Sequence, residues 1–304
     1  MTDPQPMHDN ASVLVIADPG AHAEAAGAAV ALSGARLTGS VAIAEGAERL
    51  RRQAALDAVL IEAAGADEAA LAELLAQVDG LVSERGAAVI VALAEHQIDL
   101  VAAPLLGRGQ LLCEPDVNER AAALAAVMRQ PASGLHDITR DDAERLRMLN
   151  AEVARIAETL ARLTRGEGGA RPLREVEQGY GAPPMVEPEP VAPARVRATI
   201  RARRMRASFF TGELFADPAW DMLLDLFAAE LEGARVSVSS LCIAAAVPGT
   251  TALRWIGTMI DAGLFERRAD PFDRRRAYVS LSDAAGDKMR RYFDALRRAG
   301  LAAG

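Results

Sequence analysis

The chain has 304 residues, of which 51% are hydrophobic and 25% charged, and these are the proportions of a globular protein with room for two domains. Its net charge is −8 at pH 7, and no apolar run approaches the roughly 20 residues that span a bilayer. The polar residues 1–10 lack the basic and apolar regions of a signal peptide, so we expect a cytoplasmic protein without membrane contact, disordered over residues 1–10.

Residues 12–128 alternate short apolar runs with longer, alanine-rich segments of helical period. Five of the runs are predicted strands: SVLVIA, SVAIA, DAVLIEA, AAVIVALA and QLLCEP. Short, nearly continuous apolar strands that alternate with helices are typical of a parallel sheet covered by helices on both faces. We predict an α/β domain over residues 11–130.

Four residues lie at the ends of these strands: Asp18, Glu62, Leu93 and Glu114. The five strands with intervening helices resemble the receiver domain of two-component response regulators, which implies a flavodoxin-like fold. In that family the corresponding positions hold a magnesium-binding acidic pair, a phosphoacceptor aspartate, a hydroxyl residue and a lysine. The resemblance therefore implies a degenerate phosphorylation site at these four positions.

These substitutions argue against phosphoryl transfer, so we predict a receiver-like, or pseudo-receiver, domain kept for protein contacts. One alternative is a cation held by the carboxylates of Asp18, Glu62 and Glu114. The other is that these acids are simply solvated at the strand ends.

A heptad seam follows the α/β region. Its apolar residues are spaced by three and four positions, and they are Leu146, Leu149, Val153, Ile156, Leu160 and Leu163. Two apolar positions per heptad make a narrower stripe than most globular helices bury, which favours a dimeric coiled coil over residues 138–165. A helix that lies on its own domain is the alternative.

Residues 166–194 are rich in proline, glycine and acidic side chains, and they include GAPPMVEPEPVAPA. Such a segment buries too little apolar surface to order itself, so we predict a linker. The residues beyond it, 195–304, carry 18 basic and 13 acidic side chains, whereas residues 1–194 carry 16 and 29. Only the second half is basic, which predicts that this half meets a polyanion.

The basic half contains a predicted helix-turn-helix, a hairpin and a last helix. DPAWDMLLDLFAAELE, VSVSSLCIAAAV and TTALRWIGTMIDAG are predicted helices, LFERR and RRAYVSLS the two strands of a hairpin, and SDAAGDKMRRYFDALRRA the last helix. In the third of these helices, Thr250, Thr251, Arg254 and Thr258 project from the face opposite the apolar one. Hydroxyl groups at a helix N-terminus suit phosphates, and an arginine one turn later suits a guanine edge.

Residues 214–286 resemble the MarR family of winged helix-turn-helix transcriptional regulators. The resemblance runs through Thr251 and Arg254 and through GLFERRADPFDRRRAYVSLSDAAG. It implies that Thr250, Thr251 and Arg254 lie in the recognition helix and Ser239 and Ser240 in the helix before it. The wing signature, Asp-Arg-Arg, falls on Asp273, Arg274 and Arg275.

We therefore predict a winged helix-turn-helix domain over residues 195–304 that binds double-stranded DNA as a homodimer and regulates transcription. The predicted DNA-binding residues are Ser239, Ser240, Thr250, Thr251, Arg254, Thr258, Arg267, Arg268, Arg274, Arg275, Arg276, Arg203 and Arg204. The arginines of residues 195–206 are expected to contact phosphates, although a solvated helix face would carry the same charges.

The alternative function is a signalling adaptor whose pseudo-receiver and winged helix bind proteins rather than DNA. Two distant cysteines and four scattered histidines offer no metal-ligand spacing, and no glycine-rich phosphate loop or nucleophile elbow occurs. We expect no catalysis, no metal and no cofactor.

Overall fold

A computed structural model describes residues 11–53, 56–83, 86–128, 190–210, 215–270, 273 and 276–301. The predicted coiled coil at 138–165, residues 1–10, most of the predicted linker, and Arg274 and Arg275 of the predicted wing lie outside the described residues. The described residues up to 128 and those from 190 onward belong to one compact unit. None of the helices described is both long and apolar enough to cross a bilayer.

The first part of the chain forms a parallel sheet with helices between its strands, as the sequence predicts. Its strands are β1 Ser12–Ile16, β2 Arg36–Val41, β3 Ala58–Glu62, β4 Ala88–Leu93 and β5 Gln110–Cys113. Its helices are α1 Ala21–Ser33, α2 Ile43–Arg52, α3 Glu68–Ser83, α4 Ile98–Leu105 and α5 Val117–Met128. The strand order is β2-β1-β3-β4-β5 and all pairs are parallel. We call this part the α/β module.

One predicted strand was wrong in position. SVAIA was expected to form the second strand, but β2 ends at Val41 and Ile43 already begins α2. Strand β2 lies at the edge of the sheet, and its side chains are exposed or half-buried rather than buried. An edge strand therefore lacks the apolar run that marks β1 and β3, whose side chains are all buried.

The second part of the chain combines helices with a small antiparallel sheet. Its helices are α6 Pro193–Met205, α7 Pro218–Glu232, α8 Val238–Ala244, α9 Gly249–Asp261 and α10 Asp283–Arg298. Its strands are β6 Val236–Ser237, β7 Phe265–Ala269 and β8 Ala277–Leu281, in the order β6-β8-β7. We call this part the C-terminal module. Helix α6 begins inside the predicted linker, where Pro193 suits a first helical turn.

Local sequence signals account for the helix boundaries in the C-terminal module. The side chain of Asp217 accepts a hydrogen bond from the amide of Trp220 and caps α7, and Ser237 caps α8 in the same way through Ser240. Gly263 lies two residues beyond the last residue of α9 and adopts a left-handed φ of 67°, which a glycine does without strain. These signals fix where α7 and α8 start and where α9 ends.

The core of the C-terminal module is built on aromatic side chains. Phe227 of α7, Phe265 of β7 and Phe293 of α10 are almost completely buried. The rings of Phe227 and Phe293 stack with their centroids 5.6 Å apart, an arrangement that aromatic pairs favour. This core holds α7, α10 and the small sheet together and leaves α8 and α9 on the side that faces the α/β module.

Candidate nucleic-acid interface

Helices α8 and α9 form a helix-turn-helix whose second helix has one apolar and one polar face. Ala252, Leu253, Ile256 and Met259 are buried on the apolar face. The predicted DNA-binding residues Arg254 and Thr258 are exposed, and the hydroxyl of Thr258 donates to the carbonyl of Arg254 at 3.0 Å. The middle of α9 thus presents a guanidinium and a hydroxyl on one accessible face.

The α/β module packs against the first turns of α8 and α9, where Ser239 and Thr250 are half-buried. Helix α4 packs on α8 and on strand β8, and the end of β5 packs on α9. Buried side chains of α4 and α8, among them Val101, Leu105 and Leu241, belong to one continuous apolar cluster. We call this packing the intermodule contact.

Asp99, in the first turn of α4, binds the first turn of α8. One carboxylate oxygen accepts the backbone amide of Ser239 at 2.9 Å, and the other accepts the Ser239 hydroxyl at 2.7 Å. Both polar groups with which Ser239 could donate to a DNA phosphate are therefore occupied by Asp99.

Thr250, in the first turn of α9, is bound to the end of strand β5. Its hydroxyl accepts the amide of Cys113 at 2.9 Å and donates to the carbonyl of Cys113 at 3.1 Å. Next to it, a Cβ atom on Gly249 would lie 2.9 Å from both the Cβ and the Sγ of Cys113. Such a distance is shorter than real Cβ contacts allow, so the contact requires glycine at this position.

Two thiols lie in the intermodule contact. Burial raises the pKa of Cys113 to about 11, and the charges of Glu114 and Glu95 add to the rise. Burial also raises the pKa of Cys242, on α8, to about 12, with contributions from Cys113 and Asp99. Both thiols are therefore protonated at neutral pH, and they pack as small apolar groups rather than react as nucleophiles.

Arg267, on strand β7, provides a third polar link between the modules. Its guanidinium donates to the carbonyl of Ala103 at 2.5 Å, near the C-terminal end of α4. A cation is favourable there, because the last carbonyls of a helix carry partial negative charge. Burial lowers the pKa of Arg267, and the nearby charge of Arg108 lowers it further.

The structure therefore divides the predicted DNA-binding residues into two groups. Ser239, Thr250 and Arg267 are hydrogen-bonded to the α/β module. Apart from Arg203, which pairs with Asp221, the others that the structure describes lie on accessible parts of the C-terminal module: Arg204, Ser240, Arg254, Thr258, Arg268 and Arg276 are exposed, and Thr251 is half-buried. The sequence missed Asp99 and Cys113 as partners of this site, since both lie more than 130 residues before it along the chain.

Two arginines of helix α6, Arg197 and Arg203, form ion pairs with helix α7. The guanidinium of Arg203 donates to Asp221 at 2.7 Å, and its side chain is only 12% exposed. Arg197 binds Asp225 at 2.7 Å and Glu232 at 2.8 Å. The anion beside Arg203 in this structure is therefore Asp221 of α7, and a phosphate contact of Arg203 stays a prediction. Arg204, one residue later, is exposed and keeps its predicted role.

The hairpin that the sequence predicts as the wing is described except for part of its tip. Arg268 on β7 forms an ion pair with Glu266 at 3.2 Å, and its side chain is 64% exposed. At the tip, Asp270 accepts hydrogen bonds from the amide of Asp273 and from the hydroxyl of Tyr278. These bonds hold the two strand ends together around the position from which Arg276 extends.

At the predicted degenerate phosphorylation site, Glu62 is occupied by a side chain that the sequence analysis missed. Arg120, from α5, binds both oxygens of the Glu62 carboxylate, at 2.8 Å and 2.9 Å, and it also binds the carbonyl of Pro115. The side chains of Glu62 and Arg120 are 1% and 5% exposed. The one feature of the sequence that could have indicated this pair is the single arginine in the alanine-rich helix α5.

The other three positions of that site have different surroundings. The carboxylate of Asp18 accepts the amide of Ile43 at 3.0 Å at the start of α2, and Leu93 is buried. Glu114 is exposed, with a left-handed φ of 48°. The described residues contain no group of acids, histidines or cysteines that could hold a metal ion, so the cation alternative for Asp18, Glu62 and Glu114 was wrong.

Comparison with known proteins gives little guidance. No protein family profile matches the chain, and no curated protein matches it. Among solved structures, the chain is similar to the crystal structure of the adhesin competence repressor AdcR from Streptococcus pyogenes, at 12% sequence identity and with a TM-score of 0.22. The match covers 36% of this chain and 79% of the repressor. Similarity at this level defines neither fold nor function, which depend on the geometry of the chain itself.

Proposed function

We propose that the chain is a sequence-specific regulator of transcription that binds double-stranded DNA as a homodimer and has no catalytic activity. In this proposal α7–α10 and the small sheet are a winged helix-turn-helix, α9 is the recognition helix and β7–β8 is the wing. The observation that carries the proposal is the exposed face of α9, with Arg254 one turn beyond the hydroxyl-bearing first turn. A guanidinium in that position can bind a guanine edge in the major groove.

Charge supports the same proposal. Arg254, Arg268 and Arg276 are exposed, on α9 and on the two strands of the hairpin, in the half of the chain with net positive charge. Basic groups on a recognition helix and on a hairpin beside it suit the phosphates that border adjacent grooves. By this proposal Arg274 and Arg275 contact the minor groove.

Dimerisation is proposed through residues 138–165, because their heptad seam has the two apolar positions per heptad with which two helices pack in a coiled coil. Two recognition helices would then enter successive major grooves about one helical turn apart, and the target would be roughly palindromic.

The α/β module is proposed as a pseudo-receiver that acts without phosphorylation. Its support is the buried pair of Glu62 and Arg120, in which an internal guanidinium neutralises the carboxylate at the phosphoacceptor position. A carboxylate held on both oxygens inside the protein has no free oxygen to attack a phosphodonor.

One observation favours the adaptor as a second candidate function. In this structure the first turns of α8 and α9 contact a protein surface, that of the α/β module, through Ser239 and Thr250. In the adaptor, the same face would bind a partner protein and Arg254 would have no role in DNA binding.

Fluorescence anisotropy with the full chain tests the proposal. The probe is a labelled random-sequence duplex pool of about 30 base pairs, long enough for two half-sites, followed by the duplexes that the chain enriches from it. We expect enrichment of a palindromic sequence and a steep loss of affinity with salt, because bound arginines release counterions.

Arg254→Ala should weaken binding to the enriched duplex by about tenfold or more, since a bidentate contact to guanine contributes about 1–3 kcal/mol. Arg36→Ala is the matched control, because Arg36 is an exposed arginine on the edge strand β2 of the α/β module. Equal affinities of the two variants, or no enriched sequence, would contradict DNA recognition and support the adaptor.

A further inference from the structure

We propose that the α/β module is an intramolecular inhibitor of DNA binding, and that the intermodule contact is the closed state of this switch. The inference rests on the proposed function and adds its regulation. The chain would bind DNA only in an open state, in which α4 and the end of β5 have left the first turns of α8 and α9.

The contact and DNA compete for the same atoms. A helix-turn-helix anchors itself with amides and hydroxyls at helix N-termini, which bind phosphates. Here the Ser239 amide and hydroxyl bind Asp99, and the Thr250 hydroxyl binds Cys113. A phosphate oxygen cannot accept these hydrogen bonds until the carboxylate and the strand end leave.

The contact also fills the space that DNA needs. The major groove is about 8.5 Å deep, and a recognition helix enters it with its N-terminal residues first. At that end of α9, Gly249 touches Cys113 so closely that a single added carbon has no room. The first turn of α9 therefore cannot lie on strand β5 and in a groove at the same time.

The composition of the contact suits a switch that is not operated by thiol oxidation. Its polar links are hydrogen bonds of half-buried or partly accessible groups, and its two thiols have raised pKa values that disfavour the reactive thiolate. DNA, or a protein that binds α4 and β5, would open the contact by binding only the open state. The apparent affinity for DNA is then the intrinsic affinity multiplied by the open fraction.

The first experiment weakens the contact without touching the DNA-binding side chains. Asp99→Ala in the full chain removes the acceptor for Ser239 and should raise the affinity for the enriched duplex by about tenfold. Glu95→Ala is the matched control: Glu95 is exposed, lies four residues earlier, and its charge also reaches Cys113. It removes the same charge from the same region, so the difference between the variants isolates the hydrogen bonds to Ser239.

The second experiment uses one variant to open and to lock the contact. Gly249→Cys is made in a Cys242→Ala background, which leaves Cys113 as the only other thiol in the chain. Reduced, the new side chain clashes with Cys113, so binding to the duplex should be stronger than that of Cys242→Ala alone. Oxidised to an intramolecular disulfide, confirmed by intact mass, the contact should stay closed and binding should fall by about tenfold or more.

The outcomes separate this inference from the function on which it rests. Stronger binding by Asp99→Ala than by Glu95→Ala, with a redox-dependent loss in the cysteine variant, supports both. Binding of similar strength by all variants, oxidised and reduced, overturns the inhibitor and leaves DNA recognition standing. If no variant binds or enriches any duplex, and this includes the variants that open the contact, the proposed function is overturned.

Discussion

Two carboxylates of the α/β module show how the same kind of group serves opposite purposes. Glu62 is 1% exposed, and both its oxygens bind Arg120 of the same module. Asp99 is half-buried, and both its oxygens bind Ser239 of the other module. The pair of Glu62 and Arg120 is buried inside the α/β module and can separate only if the module unfolds. The second joins the two modules across the intermodule contact, where Asp99 is accessible enough to exchange its partner for water or for a competing ligand.

The largest expected effect concerns Glu62. Arg120→Ala leaves a buried carboxylate without its counterion, which should lower the free energy of unfolding by about 3–5 kcal/mol in urea denaturation. The matched control is the double variant Glu62→Leu with Arg120→Met, which removes both charges and should unfold within about 1 kcal/mol of the wild type or be more stable. A loss below about 1 kcal/mol for Arg120→Ala would mean that water reaches Glu62.

Asp99→Ala should lower the free energy of unfolding less than Arg120→Ala does, and its main effect should be to expose the intermodule contact to solvent. Asp99→Ala removes hydrogen bonds to a charged acceptor and should cost about 1.5–3 kcal/mol, confined to the intermodule contact. Hydrogen exchange should therefore accelerate at the amide of Cys113, which Thr250 holds, and not at the amides of β3. Uniform acceleration across the α/β module would show that Asp99 stabilises the module itself rather than its contact.

The sequence predicted the α/β module better than the contact, and the reason is physical. Buried strands such as β1 and β3 are apolar throughout, so their positions follow from composition, whereas the edge strand β2 was placed wrongly because its side chains are accessible. Helix caps such as Ser237 and Asp217 lie beside the helices that they start, so α7 and α8 could be predicted as well.

The sequence named the candidate residues of the site but not the partners that surround them. Ser239, Thr250 and Arg267 were identified by resemblance and by helical spacing. Their partners Asp99 and Cys113 lie more than 130 residues away, and no local pattern marks a threonine hydroxyl that binds a distant strand end. The ion pair of Arg203 was missed for the same reason, since its partner, Asp221, belongs to the next helix.

A smaller effect distinguishes the two arginines at the end of α6. Arg203→Ala loses a half-buried ion pair with Asp221 and should lower the free energy of unfolding by about 1–2 kcal/mol without changing affinity for DNA beyond that loss. Arg204→Ala should do the reverse, with stability within about 0.5 kcal/mol of the wild type and a shallower salt dependence of DNA binding. A shallower salt dependence for Arg203→Ala would identify Arg203 as a phosphate contact.

The smallest effect is on the pH dependence of stability. The pKa of Cys113 is raised to about 11 and that of Cys242 to about 12 in the folded chain, above the usual value of 9.0 for a free thiol. Their contribution to stability is therefore complete below about pH 9 and is lost as the pH rises toward 11–12. Urea denaturation across this range should show a smaller decline for Cys242→Ala than for the wild type, and equal declines would mean that other groups dominate.

The most direct test of mutual exclusion between DNA and the α/β module is the alkylation rate of Cys113. The experiment uses the full chain with Cys242→Ala, a maleimide probe, and the enriched duplex at saturation or omitted. If DNA binds only the open state, Gly249 and Thr250 no longer cover the thiol of Cys113 when DNA is bound. Alkylation of Cys113 should then accelerate by about tenfold. An unchanged or slower rate on the chain with bound DNA would contradict the account, because it would mean that the first turn of α9 stays on strand β5 while DNA is bound.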